Sequence, residues 1–365
     1  SGTNRATTII SNATTVVTMA GTNSRVREVT LRGGLRGVAF LGINNVAERC
    51  IIESNSDCGV YMGATNNLVD QCTIWKNAIG YSATSLYRTM PITSCMIVSN
   101  TGRGLYFNWT GVRLRNSLVA NNGSDGIYII DDNTGASSWI DNCTIAGNGG
   151  DGYDDSDHAL HETTWFTNCI ISGNAGYGVK RHAGPSRNDY LSYCCVYGNT
   201  AGNFVGAGIV QGSGMLAADP LFVAPPDYHL TNGSPCIGAG ADLTAAGITN
   251  DLDLVARTNA FDIGCYESPY SPVVKVDISY VDVSRPDDSG AGTNWLTAKK
   301  TIGAGLSILT ATGTCYMASG LYLESLALAA NTTLSGTNRE TTVISNATTV
   351  VTMAGTNSRV REVTL

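Results

Sequence analysis

Charge is scarce in this sequence. Asp, Glu, Lys and Arg make up 14% of its 365 residues, against a hydrophobic share of 43%. With 42 glycines, only 9 prolines and many Asn, Ser and Thr, that balance fits tightly coiled β structure better than a helix bundle. The net charge is −7 and no basic run occurs, which removes nucleic acid from the expected partners. No apolar stretch is long enough to span a bilayer. Helical periodicity is weak everywhere except residues 295–309, where Ile302, Leu306 and Leu309 recur after Thr293-Asn294. An initiator Met and a signal peptide are also lacking. The chain starts inside a patterned region and stops inside a strand-like run, so it is expected to be a window on a longer polypeptide.

What is present is repetition. A phrase of Cys, any residue, an aliphatic, two more residues and Asn recurs as Cys50-Ile51-Ile52-Glu53-Ser54-Asn55, then from Cys72 to Asn77 and from Cys95 to Asn100. It is read again as Asn116 to Asn121, Cys143 to Asn148, Cys169 to Asn174 and Cys194 to Asn199. The closing asparagines follow one another at 22, 23, 21, 27, 26 and 25 residues. Units this short cannot bury an apolar face alone and must stack. Each carries a second strand that begins at a glycine, such as Gly59-Val60-Tyr61-Met62 or Gly126-Ile127-Tyr128-Ile129. The expected fold is therefore an all-β parallel β-helix with three short strands per coil.

In that fold Asn55, Asn77, Asn100, Asn121, Asn148, Asn174 and Asn199 form an amide ladder, because each amide both donates and accepts. Cys50, Cys72, Cys95, Cys143, Cys169 and Cys194 form a column of buried, unreactive thiols. Cys236 and Cys265 lie outside the column and are the best candidates for a disulfide. The helix at 295–309 is expected to cap the open end of a solenoid, whose strand edges need covering.

A longer period encloses the short one. Residues 1–31 reappear as residues 335–365 at an offset of 334, with changes only at Ala6 against Glu340 and Ile9 against Val343. The reading is one module at 1–267, a Pro-containing linker at 268–275, and the start of a near-identical module at 276–365.

The ladder and coil phrasing resemble right-handed β-helix proteins of the pectate-lyase-like superfamily. The segment Asp219-Pro220-Leu221-Phe222, Tyr228-His229-Leu230, Ser234-Pro235 and Asp262-Ile263-Gly264-Cys265-Tyr266-Glu267 resembles the close of large bacterial surface β-helix proteins. Tyr280-Val281-Asp282, Asp287-Asp288-Ser289-Gly290, Trp295 and Gly320-Leu321-Tyr322-Leu323-Glu324 resemble their opening. The resemblance implies a right-handed coil and a bacterial extracellular or cell-surface location. Its functional range covers polysaccharide lyases and hydrolases, adhesins, and modules of giant surface proteins.

The wide gaps in the asparagine column place loops after the Gly-initiated strands. They hold Asp131-Asp132, then Asp154-Asp155-Ser156-Asp157-His158 with His161-Glu162, then Lys180-Arg181-His182 with Arg187. Asp154, Asp155, His158, Lys180 and Arg181 are the candidates for a glycan-cleaving site, and Asp154, Asp155 and Asp157 for a Ca²⁺ site; no other cofactor is expected. Register sets Asp154 beside Lys180 and Asp155 beside Arg181. Adjacent residues on a strand face opposite ways, which opposes a two-base mechanism. The polygalacturonase pattern is incomplete, with no Gly-His-Gly and no Arg-x-Lys. An ion-pair ladder between coils is the preferred reading, and no catalytic residue is assigned. Trp139, Trp165 and Tyr190 occupy one slot on successive coils, and Tyr61, Tyr106 and Tyr128 another. Both columns read first as aromatic packing on a sheet, with a glycan surface as the alternative. The expected function is a structural tandem module of a giant extracellular solenoid whose partners are neighbouring copies of itself, in the same chain and by lateral self-assembly; the alternatives are a polysaccharide lyase or glycoside hydrolase acting at the loop cluster 131–187, and a glycan-binding adhesin without chemistry.

Overall fold

The structure, a computed structural model, describes residues 5, 7–84, 89–108, 110–130, 137–155, 163–181, 188–257, 260–270, 275–346, 350–353 and 356–365. Two compact units divide the chain, Ser1–Pro272 and Val273–Leu365.

The first unit is a parallel β-solenoid of three nine-stranded sheets. One sheet runs from Ile9–Ser11 to Cys195–Tyr197, the second from Thr15–Met19 to Gly202–Val205, and the third from Arg25–Arg27 to Ile209–Gln211. Every strand pairs in parallel with its counterpart one coil away, as in Ile52↔Ile74↔Ile97. Side chains alternate along a strand, so one residue of each three-residue strand in the first sheet points inward. Leu31, Ile52, Ile74, Ile97, Val119, Ile145, Ile171 and Val196 fill that column and are almost completely buried. Val60, Tyr81, Leu105 and Ile127 do the same from the second sheet, and Val69, Ile92, Leu114, Ile140 and Phe166 from the third.

The strands are short because a left-handed residue turns each corner. Ser54, Lys76, Ser99 and Asn121 have φ of 55, 56, 53 and 55°, and Gly147, Gly173 and Gly198 take the same place at 65°. Non-glycine residues there cost about 1–2 kcal/mol each. The asparagine that follows offsets the cost. Its Oδ1 accepts the backbone N–H and the Nδ2 of the preceding rung, at 2.8–3.1 Å along the whole column. The members are Asn55, Asn77, Asn100, Asn122, Asn148, Asn174 and Asn199. Asn122, not Asn121, is therefore the fourth rung, and the fourth phrase starts at Ser117. Ser117 occupies the thiol slot, where its Oγ accepts from Cys95 N at 3.0 Å and donates to Arg115 O at 2.7 Å. Asn121 instead accepts the Tyr228 hydroxyl at 2.8 Å.

The ladder also explains why the next strand opens with glycine. A Cβ on Gly104 would lie 2.6 Å from the Gly126 carbonyl oxygen and 2.8 Å from Asn122 Nδ2. All eleven cysteines are buried free thiols. Burial pushes those of Cys72, Cys169 and Cys194 well above their ordinary pKa. Cys236 and Cys265 are not bridged: Cys236 packs with Cys195 and Leu230 in one cluster, and Cys265 with Tyr228 and Leu118 in another.

Both clusters belong to a closing segment laid over the first sheet. Strands Leu118–Ala120, Thr144–Ala146 and Ile170–Ser172 are buried on both faces, whereas Ile51–Glu53 and Thr73–Trp75 are buried on one. The segment holds an antiparallel pair, Phe222–Ala224 with Asp227–Leu230. Arg257 anchors it, donating to Glu267 at 3.1 Å, Asn116 Oδ1 at 3.0 Å and the Gly264 carbonyl at 2.9 Å.

In the second unit, Val276–Val281, Leu309–Met317, Thr333–Gly336 and Arg359–Arg361 form one parallel sheet, and two further parallel pairs complete its coils. The expected 295–309 helix is two shorter pieces, a 3-10 turn at Trp295–Thr297 and an α-helix at Ile302–Ser307. Asp288 breaks it by accepting from Lys300 N and Thr301 N at 2.7 and 2.8 Å. Thr301 then caps the α-helix, and Glu324 accepts from its first amides, Ile302 N and Gly303 N. Leu309 already belongs to a strand. Among the described residues no helix is long and apolar enough to cross a membrane.

Candidate functional site

The charged cluster sits at the ends of two neighbouring strands of the second sheet. Strand Tyr153–Asp155 pairs with Tyr177–Arg181 in the register Asp154↔Lys180 and Asp155↔Arg181. The pleat then separates the two pairs.

Asp154 and Lys180 face outward. Lys180 Nζ donates to Asp154 Oδ2 at 3.0 Å and lies 3.2 Å from Asp151 Oδ2. Asp151 is held from both sides: its N–H donates to Asp125 Oδ1 at 3.0 Å, and its own Oδ1 accepts from Tyr177 N at 2.5 Å. Asp125 in turn pairs with Arg103 at 3.1 Å, whose guanidinium lies 3.6 Å from the Tyr128 ring centre. Burial alone would lower the Lys180 pKa, but the bonds to Asp154 and Asp151 outweigh it and the net shift is upward. The ammonium therefore keeps its proton near neutrality and does not act as a base there. Asp151 itself is raised by burial.

Asp155 and Arg181 face inward. They are 2% and 3% exposed, and they meet Asp189, which is 0% exposed. Arg181 Nε lies 3.5 Å from Asp189 Oδ2, and its Nη1 donates to the Ala207 carbonyl at 2.7 Å. Asp189 Oδ1 accepts from Thr164 N at 3.0 Å. Burial raises both carboxyls. One guanidinium balances one carboxylate, so the pair favours holding one proton between them.

The expected candidates are thus split between two sides of a sheet. Among the described candidates Asp154 and Lys180 share the outward face and Asp155 and Arg181 the inward one, and His158 lies outside the described residues together with Asp131, Asp132, Asp157, His161, Glu162, His182 and Arg187. The Ca²⁺ set is likewise divided, since Asp154 and Asp155 point to opposite faces. A different acidic trio is gathered, Asp125, Asp151 and Asp154, with ligand atoms within 4.8 Å of one another. The Lys180 ammonium occupies the cation's place beside two of its members. Asp125, Asp151 and Asp189 were not anticipated. The first two had a signal, since each directly precedes a column glycine, Gly126 or Gly152.

The third sheet carries an aromatic face. Trp139 and Trp165 stack with ring centres 5.2 Å apart at 12°, and Trp165 and Tyr190 at 6.3 Å and 13°. Their strand neighbours Ile140, Phe166 and Leu191 point into the core. The tyrosine column of the second sheet is less continuous. Tyr106 and Tyr128 stack at 5.9 Å, but Ser82 separates Tyr106 from Tyr61.

A family model described as a right handed beta helix region matches residues 2–137 and 108–213. Among solved structures, the A-module of a mannuronan C-5 epimerase from Azotobacter vinelandii matches with a TM-score of 0.41 and 16% identity. The match covers 54% of this chain, and the chain spans 58% of that module's length. No curated protein matches the sequence.

Proposed function

The chain belongs to the right-handed β-helix family, and from that premise we propose that it is a structural tandem-repeat module of a large bacterial extracellular β-solenoid, a fibre or cell-surface protein. The observation that carries this reading is the return of residues 1–31 as residues 335–365, at an offset of 334. A diffusible enzyme has no need of a second copy of its first coil. A fibre does, because repetition sets its reach, and nine coils at about 4.8 Å already make a rod of about 40 Å.

The chemistry of the charged cluster supports the same reading. Its outward half is an interlocked row of ion pairs, Arg103–Asp125 and Lys180 with Asp151 and Asp154. Its inward half is buried. Both halves bond one coil to the next, as a rod requires. Imaging of the native material tests the proposal: filaments with a regular axial period are expected, and isolated globular particles would end it.

A second reading, glycan adhesion, is favoured by the stacked Trp139, Trp165 and Tyr190 face, which offers flat rings of the kind that pack on apolar sugar faces. Repetition would multiply weak contacts into avidity. Binding of oligosaccharides without turnover, reduced by Trp165→Ala, separates adhesion from both catalysis and a purely structural role.

A further inference from the structure

Residues 1–31 and 335–365 are nearly the same sequence in two surroundings. Their local conformation agrees. Asn23 and Asn357 have φ of 54 and 61°, Glu28 and Glu362 of 57 and 50°. Arg25–Arg27 and Arg359–Arg361 are the matching strands. The bond from Thr30 N to Thr8 O, 2.8 Å, returns as Thr364 N to Thr342 O, 2.9 Å.

Their buried sides are complementary. In the first unit this coil is followed by another, starting with Thr30–Arg32, and its strands end the three sheets on the other side. Met19 is there only 5% exposed while Ile10 is 38% exposed. In the second unit the coil is preceded by Gly320–Tyr322, Leu326–Leu328 and Thr333–Gly336. Ile344, the counterpart of Ile10, is then 0% exposed, and Met353, the counterpart of Met19, is 50% exposed. Each copy covers what the other leaves open.

We infer that the outer edge of the first coil, at Ile9–Ser11, Thr15–Met19 and Arg25–Arg27, is a docking surface for a second copy of residues 276–334, stacked as the preceding coils of the same solenoid. The register follows from the pairs already formed by the repeated sequence. Gly320↔Thr342 becomes Gly320↔Thr8, Leu326↔Val351 becomes Leu326↔Val17, and Thr333↔Arg359 becomes Thr333↔Arg25. Backbone edges give the affinity, as in other parallel strand additions, and Tyr322, Leu328 and Leu334 supply the inward side chains that cover Ile10, Met19 and Val26. The folded module then begins at the cap near Val276, and the duplicated stretch is a through-going coil inside it. This rests on the tandem reading above, but it fails separately: that reading fails on the make-up of the native material, this one on the protection of a single coil.

The test extends the full chain before Ser1 with an added copy of residues 276–334, so that Leu334 runs directly into Ser1. Amide hydrogen exchange is followed at Ser11, Thr18 and Arg25, whose N–H groups face the open edge as those of Ser345 and Arg359 face Tyr322 O and Thr332 O of the preceding coil, with Ile52 as internal reference. Exchange at the three coil amides is expected to slow by about tenfold or more, with Ile52 unchanged. A second variant removes one residue of the added copy between Tyr322 and Leu326, offsetting the later strands of that copy against their partners, and is expected to lose the protection at Thr18 and Arg25. Unchanged exchange in the first extended chain, or equal protection from the shifted copy, would overturn the inference.

Discussion

Asn100 and Asn122 are bonded side chain to side chain, the Asn100 Nδ2 donating to Asn122 Oδ1 at 2.9 Å while the Asn100 backbone N–H donates to the same oxygen at 3.1 Å. Their buried amides connect two successive coils, through residues 22 positions apart in the chain. Asn121, one residue away, makes no rung.

Substituting the two asparagines separates these roles. Asn122→Ala strands two buried donors on Asn100 and one acceptor on Ile97, and is expected to cost about 2–4 kcal/mol. Asn121→Gly keeps the left-handed turn and loses only the Tyr228 bond, about 0.5–1.5 kcal/mol. Urea midpoints of the two variants decide the order, and a larger loss at Asn121 would contradict the register.

The thiol column makes a prediction about reactivity. Every cysteine is buried, and burial lifts the thiols of Cys72, Cys169 and Cys194 away from the thiolate that reacts. A disulfide reagent is expected to modify none of the eleven rapidly in the native chain and all of them after unfolding. A fast stoichiometric reaction under native conditions would show a thiol that the fold does not protect.

The buried triad predicts an asymmetry. Asp155→Asn removes one of two buried carboxyls that share a single guanidinium, and is expected to change stability at pH 7 by less than about 1 kcal/mol. Arg181→Met leaves Asp189 buried without its cation, at a cost of about 3–5 kcal/mol. Chemical denaturation of both variants measures the difference. Equal losses would mean that Asp155 is charged.

The closing segment has its own pH dependence. His229 lies between Asp227, 2.6 Å from Nδ1, and Asp253, 2.9 Å from Nε2, with its ring 3.9 Å from that of Tyr266. Burial works to lower its pKa, but the two carboxylates prevail and raise it. A raised folded pKa gives stability that is full below the unfolded value, about 6.5, and lost as pH rises through the folded value. Asp227 is lowered, chiefly by the backbone N–H of His229, so its share is lost as pH falls through its depressed value. All three side chains are substantially exposed, so the effect is below about 1 kcal/mol. His229→Gln is expected to flatten the stability profile between about pH 6 and 8. An unchanged profile would remove His229 as its source.

Much of the fold was legible because a solenoid writes its structure as identity at a fixed period. The column of thiols, amides and glycines could be read directly, and so could the pairing of Asp154 with Lys180. The fourth rung was misread for a physical reason: Asn121 and Asn122 are adjacent, and Ser117 replaces the thiol that marks the phrase elsewhere. The helix at 295–309 was overextended because apolar spacing says nothing of Asp288, which is bonded to the backbone at the break. The meeting of Asp189 with Arg181 and Asp155 joins strands of two different sheets, and composition does not encode that meeting. The covered face of the first sheet did leave a trace. Leu118, Ala120 and Ile170 are apolar on the outward side, where Thr73 and Trp75 stand on uncovered coils.

The most direct test of the account is the intact mass of the native polypeptide, read together with its peptide map. A polypeptide built of several successive 334-residue modules, with peptides spanning each junction, is the predicted result. A native chain containing a single module would contradict the proposal that this protein is one link of a repeating solenoid.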